Sequence, residues 1–378
     1  MIPRVEYTLP LGFYFKILFG SKKSDEEIFR RKLCDNCSVY YVNKARTGLR
    51  LLLSSISKKK LRIGVQAYTC NTVFQSIINA GHEIVFLDIN ENFGLDLEFL
   101  LKKIKQIDVL IVTHVFGFPD NLVKIKEIAG QKIIIEDCSH AFMSRYNNMP
   151  VGTYGDAAIF SFGTGKLPPI GTGGMVLINN NKKFPDFDFL FNSLPNESLF
   201  SGFFLWLKLV INVFLLHDPF YGRIVYKIKK HLQTKNDSKN KLVFHESRGY
   251  KFCERIIYSN YKYFEEIVRK NRLNYLFLKE KCKILSFTGI INTDPNFYII
   301  PVLTNQRDYL HSILTKNKIE TGRHFHNSAN QAKYLGYSND CKGVEKITKT
   351  ILTIPAYYSL NEKKLTKIAV LLNATKIL

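Results

Sequence analysis

GTYGDAAIFSFGTGKLPPIGTGGMV, residues 152–176, is the stretch that decides the fold of this 378-residue chain. Its apolar run 157–162 predicts a buried strand, and a second apolar run begins at Met175. Between these runs a single lysine, Lys166, lies in glycine-rich backbone, and the two prolines after it exclude a helix at that point. An amine held between strands loses hydration, which lowers its pKa and favours the neutral nucleophile that forms Schiff bases. We therefore interpret Lys166 as a candidate catalytic residue.

A strand that ends in two acidic residues precedes this stretch. The run KIIIED, residues 132–137, predicts a buried strand with Asp137 at its carboxyl end. Ligands of open parallel sheets bind at the carboxyl ends of strands. Asp137 precedes Lys166 by 29 residues (166 − 137), which is enough for two strands and the turn between them. An aspartate that keeps a pyridine nitrogen protonated and a lysine that holds an aldehyde are what pyridoxal phosphate requires.

These motifs resemble those of the DegT/DnrJ/StrS family of sugar aminotransferases, which are fold-type-I pyridoxal-phosphate enzymes. The family pattern G-x-x-G-D-x-x-x-F-S-F-x-x-x-K-x-x-x-x-G-x-G-G is met at every fixed position from Gly152 to Gly174. Residues 136–140 match the family block E-D-x-x-Q, except that His140 replaces the usual glutamine. The resemblance implies an α/β fold: a mostly parallel sheet flanked by helices in a large domain, with a small α+β domain at the C-terminus.

The chain is long enough for one large domain and one smaller domain. We predict an N-terminal lead-in over residues 1–40, a large cofactor-binding domain over 41–282 and a small C-terminal domain over 283–378. Within the large domain, residues 184–245 form an apolar and basic insertion. Strands alternate with helices upstream of Asp137, which favours a mostly parallel sheet.

The same resemblance implies which residues bind the phosphate of the cofactor. Polar residues open an apolar helix that we predict to begin at Thr47, and the N-terminus of a helix presents free N–H groups to an anion. A threonine that only caps the helix is the alternative. The family's S-G-x-x-A-L block holds the phosphate and implies that role for Thr47 and Gly48, with Ala45 where the family often has glycine. The family also implies a phosphate contact for Ser161.

Several further side chains are candidates for contacts with the cofactor ring or the substrate. The family's ring-stacking aromatic aligns with Cys70, while Tyr68 lies two residues earlier, so the resemblance leaves open which of them covers the ring. His140 would make the hydrogen bond of the missing glutamine, and because imidazole titrates we expect activity to fall at acidic pH. Candidates for which a structural role is an equal or better interpretation are His114, Arg323, His324 and His326.

Residues 199–216 form the most apolar run of the chain and contain Lys208 and Asn212 on one helical face. A run of about 18 residues is near the lower limit for crossing a bilayer. We therefore expect a helix that packs against a protein partner or lies in a membrane interface, rather than a span. The lysines between residues 227 and 239 add to the membrane interpretation.

Composition limits the setting and the partners. The net charge of +22 comes from 54 basic and 32 acidic residues and suits anionic partners. No nucleic-acid-binding motif accompanies it, so no nucleic-acid partner is predicted. Seven cysteines, an odd number at irregular spacing, indicate a reduced, cytoplasmic protein. We predict no metal site, because the C-x-x-C of residues 34–37 lacks a second pair of ligands.

The resemblance implies a transaminase with pyridoxal 5'-phosphate as cofactor. Lys166 would hold the cofactor and move a proton, and the amino group would pass from glutamate to a nucleotide-linked keto-sugar in cell-surface polysaccharide or amino-sugar biosynthesis. Family members pair as homodimers. Residues 247–251 read SRGYK and lack the asparagine of the family's G-x-N-Y-R. Two alternatives therefore stay open: a non-catalytic or regulatory cofactor-binding protein, and a membrane-surface enzyme acting on a lipid-linked sugar.

Overall fold

The computed structural model describes residues 1–16, 23–34, 36–217, 220–233, 244–282, 292–338 and 340–374. In these ranges the chain forms fifteen α-helices and twelve β-strands. The helices are α1 Leu11–Lys16, α2 Lys23–Leu33, α3 Ala45–Ile56, α4 Asn71–Asn79, α5 Leu97–Lys103, α6 Leu122–Ala129, α7 Phe187–Ser193, α8 Leu199–Leu215, α9 Tyr226–Gln233, α10 Lys251–Ser259, α11 Tyr261–Lys281, α12 Arg307–Lys316, α13 Ser328–Lys333, α14 Lys342–Thr350 and α15 Glu362–Asn373. The strands are β1 Ser38–Val42, β2 Arg62–Gln66, β3 Glu83–Leu87, β4 Val109–Thr113, β5 Ile133–Asp137, β6 Arg145–Tyr146, β7 Met149–Pro150, β8 Ala157–Ser161, β9 Gly174–Ile178, β10 Thr293–Asp294, β11 Ile300–Leu303 and β12 Ile351–Ile354.

Seven of the described strands form the central sheet, in the order β1-β9-β8-β5-β4-β2-β3. Strand β9 is antiparallel to both its neighbours, and the remaining pairs are parallel. The pairing places Thr113 opposite Asp137 and Asp137 opposite Ile159. The carboxyl ends of β4, β5 and β8 therefore meet at one edge, and the predicted α/β fold with a mostly parallel sheet is confirmed.

Hydrogen bonds to the buried carboxylate of Glu136 explain why glycines occur at the start of residues 152–176. It accepts hydrogen bonds from the backbone N–H groups of Gly152 at 2.8 Å, Tyr154 at 2.8 Å and Gly155 at 2.7 Å. It also accepts one from His114 Nε2 at 2.9 Å, and neither side chain is exposed. Gly152 has φ +94°, which favours glycine. Glu136 thus ties β5 and β4 to the turn that delivers β8, and His114 has a structural role here.

Helix α3 crosses the sheet at a close approach. A Cβ on Gly48 would lie 2.4 Å from Val176 Cγ2 on β9, so only glycine allows the helix to come this near. The helix begins at Ala45, two residues before the start predicted from the sequence. This difference decides which side chains face the carboxyl edge of the sheet.

The first residues of the chain lie against the C-terminal part of the fold. Ile2 pairs with Ile319, and Arg4 N donates to the Glu320 carboxylate at 2.9 Å. Strands β11 and β12 form a two-stranded antiparallel sheet near α12 and α14. The predicted domain boundary between residues 282 and 283 adjoins residues 283–291, which lie outside the described residues, and the domain division stays a prediction.

The insertion contains α7, α8, a π-helical turn at Tyr221–Val225 and α9. Helix α8 coincides with the apolar run of the sequence and packs against α1. In the described part of the chain, no helix combines the length and the apolar character needed to cross a bilayer.

Candidate active site

A cavity of about 280 Å³ lies at the carboxyl edge of β4, β5 and β8. Three strand ends line it with Thr113, Asp137 and Ser161, and the loop after β8 contributes Lys166. The starts of α3 and α4 form another part of the wall, and Phe325 reaches it from the C-terminal region. A cavity of about 400 Å³ elsewhere is lined by His326, which is not part of this site.

Lys166 is half-buried in the wall of the cavity. Burial lowers the pKa of its ammonium group, while Cys70 and the Asp137 carboxylate oppose this shift and the Arg4 guanidinium adds to it. A lowered pKa raises the fraction of neutral amine at a given pH, which is the form that attacks a carbonyl and accepts a proton. The structure thus gives Lys166 the environment that its sequence context predicts.

Asp137 ends β5 as the sequence predicts, and it is almost entirely buried. Its Oδ1 accepts a hydrogen bond from Ser139 N at 3.0 Å, which orients the carboxylate at the strand end. Beside it, Thr113 Oγ1 is buried and has no hydrogen-bond partner in the described structure. This end of the cavity therefore presents an acidic group and an unsatisfied hydroxyl.

His140 is held between two rings as a neutral donor. Its Nδ1 accepts a hydrogen bond from Phe116 N at 3.2 Å, so the ring proton of the neutral form is on Nε2. The imidazole stacks on Phe325 at 5.6 Å between centroids and lies parallel to Phe116 at 6.2 Å. Its Nε2 is buried and, among the described residues, finds no partner.

The protonation of His140 differs from the expectation based on free imidazole. Burial lowers its pKa well below the usual value, and Lys166, His324 and Arg4 add to this effect. His140 therefore stays neutral at mildly acidic pH, where free imidazole becomes charged. Any loss of activity caused by protonation of His140 is therefore expected at a lower pH than for free imidazole.

Helix α3 begins two residues before its predicted start, and the residues of this segment that line the cavity differ from the predicted phosphate contacts. Lys44, Ala45 and Arg46 line the cavity, but Thr47 and Gly48 do not. Because the helix begins at Ala45, Thr47 is turned inward, where its hydroxyl donates to Asn43 Oδ1 at 2.9 Å. Gly48 faces β9. The sequence analysis did not single out Lys44 and Arg46, although basic residues at the start of an apolar helix are themselves a signal for an anion.

The two ring-covering candidates occupy different places. Cys70 lines the cavity at the start of α4, whereas Tyr68 does not line it. Tyr68 is fully buried, and its hydroxyl donates to the His324 carbonyl at 2.8 Å. Its ring meets Phe325 edge-on at 5.6 Å. Tyr68 therefore supports the segment that carries Phe325, an aromatic cavity residue that the sequence analysis did not single out.

Arg4 is another residue that the sequence analysis did not single out. Its Nη1 lies 3.4 Å from His324 Nδ1, and its Nε is buried without a hydrogen-bond partner among the described residues. Its charge contributes to lowering the pKa values of Lys166, His140 and His324. By contrast, Arg323 forms an ion pair with Asp308 at 3.0 Å.

Known proteins resemble this chain in sequence and in fold. The model of the DegT/DnrJ/EryC1/StrS aminotransferase family matches residues 22–190. GDP-perosamine synthase of Escherichia coli O157:H7 is 28% identical over 169 residues, which are 43% of this chain and 46% of that protein. UDP-4-amino-4,6-dideoxy-N-acetyl-beta-L-altrosamine transaminase of Campylobacter jejuni serotype O:23/36 is 31% identical over 176 residues, 44% of this chain and 46% of that protein.

The aligned part thus spans less than half of these two relatives. The structural likeness extends further. The crystal structure of the sugar aminotransferase CalS13 from Micromonospora echinospora matches with a TM-score of 0.73 at 19% identity, over 99% of this chain and 100% of that chain. At this identity the likeness shows the shared fold-type-I architecture. The match over residues 22–190 shows that this part of the chain is similar to the DegT/DnrJ/EryC1/StrS aminotransferase family.

Proposed function

We propose that this protein is a pyridoxal-phosphate-dependent aminotransferase that moves an amino group from glutamate to a nucleotide-linked keto-sugar. The observation that carries the proposal is the meeting of Lys166 and Asp137 in one cavity, beside a neutral His140 whose Nε2 donor has no partner in the described structure. The names of the matched relatives, a GDP-perosamine synthase and a transaminase of a UDP-linked sugar, support the substrate class.

The groups that line the cavity fit this cofactor at each of its polar positions. The buried Asp137 carboxylate suits a protonated pyridine nitrogen, and His140 Nε2–H suits the ring oxygen. Lys44, Arg46 and Ser161 suit a phosphate, with the helix N-terminus of α3 adding a partial positive charge. Cys70 and Phe325 border the space available to the ring. When bound, the cofactor supplies an electron sink for bond breaking at the donor's α-carbon.

Two residues of this chain would act on the substrates directly. Lys166, whose ammonium pKa is lowered by burial, would accept a proton as a neutral amine and return it as an ammonium. Arg4, with a buried Nε that lacks a partner in the described residues, would bind the carboxylate of the amino donor near Lys166. Lys166 would thus move a proton, and Arg4 would hold a negative charge of the substrate.

The protein's partners and setting are part of the same proposal. We infer a cytoplasmic homodimer, because the family pairs in this way and the cysteines of the chain are free thiols. Biosynthesis of a cell-surface polysaccharide or another amino sugar is the corresponding role.

Absorbance spectroscopy of the purified protein with pyridoxal phosphate tests the cofactor and its lysine. We expect a visible band that borohydride abolishes and that Lys166→Ala lacks, while Lys102→Ala, which removes an exposed lysine on α5, keeps it. Glutamate should then bleach the band as the cofactor takes up the amino group. A band that glutamate leaves unchanged would favour the non-catalytic alternative, and no band at all would refute the proposal.

A further inference from the structure

Helix α8 presents an apolar surface that the described structure leaves uncovered. Six large side chains, which we call the α8 ridge, lie at helical spacing on its outer face: Phe200, Phe203, Phe204, Leu207, Ile211 and Phe214. Each exposes between 36 and 75% of its surface. The inner face packs on the protein, where Leu209 is buried and Trp206 Nε1 donates to the Tyr14 carbonyl at 2.8 Å. The ridge is therefore anchored and faces outward.

A second apolar stripe with basic neighbours follows the ridge. Phe220, Ile224 and Ile228 are spaced four residues apart and are all exposed. Arg223 and Lys227 are exposed and directly precede two of them, so basic groups border this stripe. On α8, Lys208 is also exposed. Across residues 198–233 the sequence has five lysines and arginines but a single acidic residue, Asp218.

This pattern identifies the kind of surface that would cover the ridge. Contiguous exposed apolar patches, particularly those bordered by polar residues, mark interaction sites. A two-fold related copy would bring the same basic groups toward one another, because a two-fold interface uses the same patch on both subunits. Lysine is also depleted at protein interfaces. A lipid surface with anionic headgroups accepts apolar side chains below a layer of negative charge, which matches both features.

We propose that the α8 ridge, with Lys208, Arg223 and Lys227, docks this protein onto an anionic lipid surface as a peripheral contact that does not cross the bilayer. The outer face of α8 enters the headgroup region, while its inner face stays on the protein. The basic side chains meet lipid phosphates. This docking does not depend on the proposed reaction.

The inner face of α8 adjoins the candidate active site. A Cβ on Gly171, which lines the cavity, would lie 2.7 Å from Leu209 Cδ2 on the inner face of α8. Lys208 is close enough for its charge to help lower the pKa of Lys44, a cavity residue whose largest influence is burial. Docking therefore brings the cavity wall beside the lipid surface.

Flotation of the full-length protein with vesicles tests the proposal. We expect the protein to float with vesicles of phosphatidylcholine and 30% phosphatidylglycerol at low salt, and to bind pure phosphatidylcholine vesicles much more weakly. The double variant Phe200→Ser/Phe204→Ser should stay at the bottom of the gradient. Arg223→Gln/Lys227→Gln should lower the partition coefficient by about 25-fold, roughly five-fold per basic residue.

The matched control is Leu101→Ser/Val370→Ser, which removes two exposed apolar side chains from α5 and α15 and should float like the unchanged protein. Circular dichroism and melting curves establish that each variant is folded. The proposal is overturned if the unchanged protein fails to float with anionic vesicles, or if the ridge variant floats equally well. Sedimentation velocity gives the remaining outcome: an assembly that the ridge variant dissociates would make the ridge an interface between copies and overturn the lipid assignment.

Discussion

Replacing Glu136 with glutamine separates a structural role for this buried carboxylate from a chemical one. The carboxylate accepts four hydrogen bonds, two at each oxygen: His114 and Gly152 donate to Oε2, and Tyr154 and Gly155 donate to Oε1. The amide of Glu136→Gln keeps one oxygen and turns an NH₂ group toward two of the donors. Whichever way the amide is oriented, two buried donors lose their acceptor.

The size of the effect follows from that count. A buried donor left without an acceptor costs about 1–3 kcal/mol, so two of them cost about 2–6 kcal/mol. The total stability of a folded protein is about 5–15 kcal/mol. For a domain of about 150–250 residues, each kcal/mol lowers the melting temperature by roughly 2–4 °C. We therefore expect Glu136→Gln to lower the melting temperature by at least about 4 °C.

Differential scanning calorimetry of Glu136→Gln and of a matched surface variant measures this change in melting temperature. Glu127→Gln removes a carboxylate of the same kind from an exposed pair with Lys124, and such pairs contribute about 0–1 kcal/mol. Its melting temperature should stay within about 2 °C of the unchanged protein. If Glu136→Gln melts at the same temperature as Glu127→Gln, the hydrogen bonds seen at Glu136 do not hold the turn before β8. A loss of activity at unchanged stability would indicate a chemical role instead.

Three further results are expected from the site. Arg46→Gln should weaken the binding of pyridoxal phosphate by about ten-fold or more, because a charge-assisted hydrogen bond contributes about 1.5–3 kcal/mol; titration of the apoprotein measures it. Arg4→Met should lower kcat/KM for glutamate by about ten-fold or more in single-turnover assays of the donor half-reaction, for the same reason. Below about pH 6.5, stability should fall by about 1.4 kcal/mol per pH unit for each of His140 and His324. The pKa values of both are lowered on folding, so the unfolded chain binds more protons there.

Each of these expectations has its own control. Thr47→Val removes an inward hydroxyl and should leave cofactor affinity unchanged; a Thr47→Val protein that binds the cofactor poorly would restore the register predicted from the sequence. The control for Arg4→Met is Arg31→Met, which changes an exposed arginine and should show normal glutamate kinetics. Equal rates in Arg4→Met and Arg31→Met would show that Arg4 does not bind the amino donor. His140→Gln should roughly halve the loss of unfolding free energy at acidic pH, as measured by urea denaturation. If the dependence of that free energy on pH is unaltered, His140 is not one of the groups that cause the loss.

The strand ends were predictable because their chemistry is local. Asp137 closes an apolar run and Lys166 follows another, so a strand pattern alone places both at the carboxyl edge of a parallel sheet. The start of α3 was not predictable in the same way. Its N-cap position is Lys44, whose side chain makes no capping bond, whereas Thr47 is a residue type that commonly caps helices. The sequence signal therefore favoured a start two residues late.

Arg4 and Phe325 could not have been found from local patterns. Arg4 lies 162 residues before Lys166 and Phe325 lies 159 residues after it (166 − 4 and 325 − 166). Their approach depends on packing between the two ends of the chain, which no periodicity reports. The neutral state of His140 likewise depends on burial between two rings distant in sequence, so the titration of free imidazole was a poor guide.

The carboxylate of Glu320 links three separate parts of the chain. It accepts hydrogen bonds from Arg4 N at 2.9 Å, from Tyr7 Oη at 3.2 Å and from the Tyr221 hydroxyl. The rings of Tyr7 and Tyr221 also meet at 5.6 Å. In evolutionary terms, positions 7, 221 and 320 constrain one another: a lineage that loses this acidic residue removes the carboxylate that both phenols share. Among close relatives, these three positions should covary, and the segment that carries Tyr221 should be gained or lost together with the others.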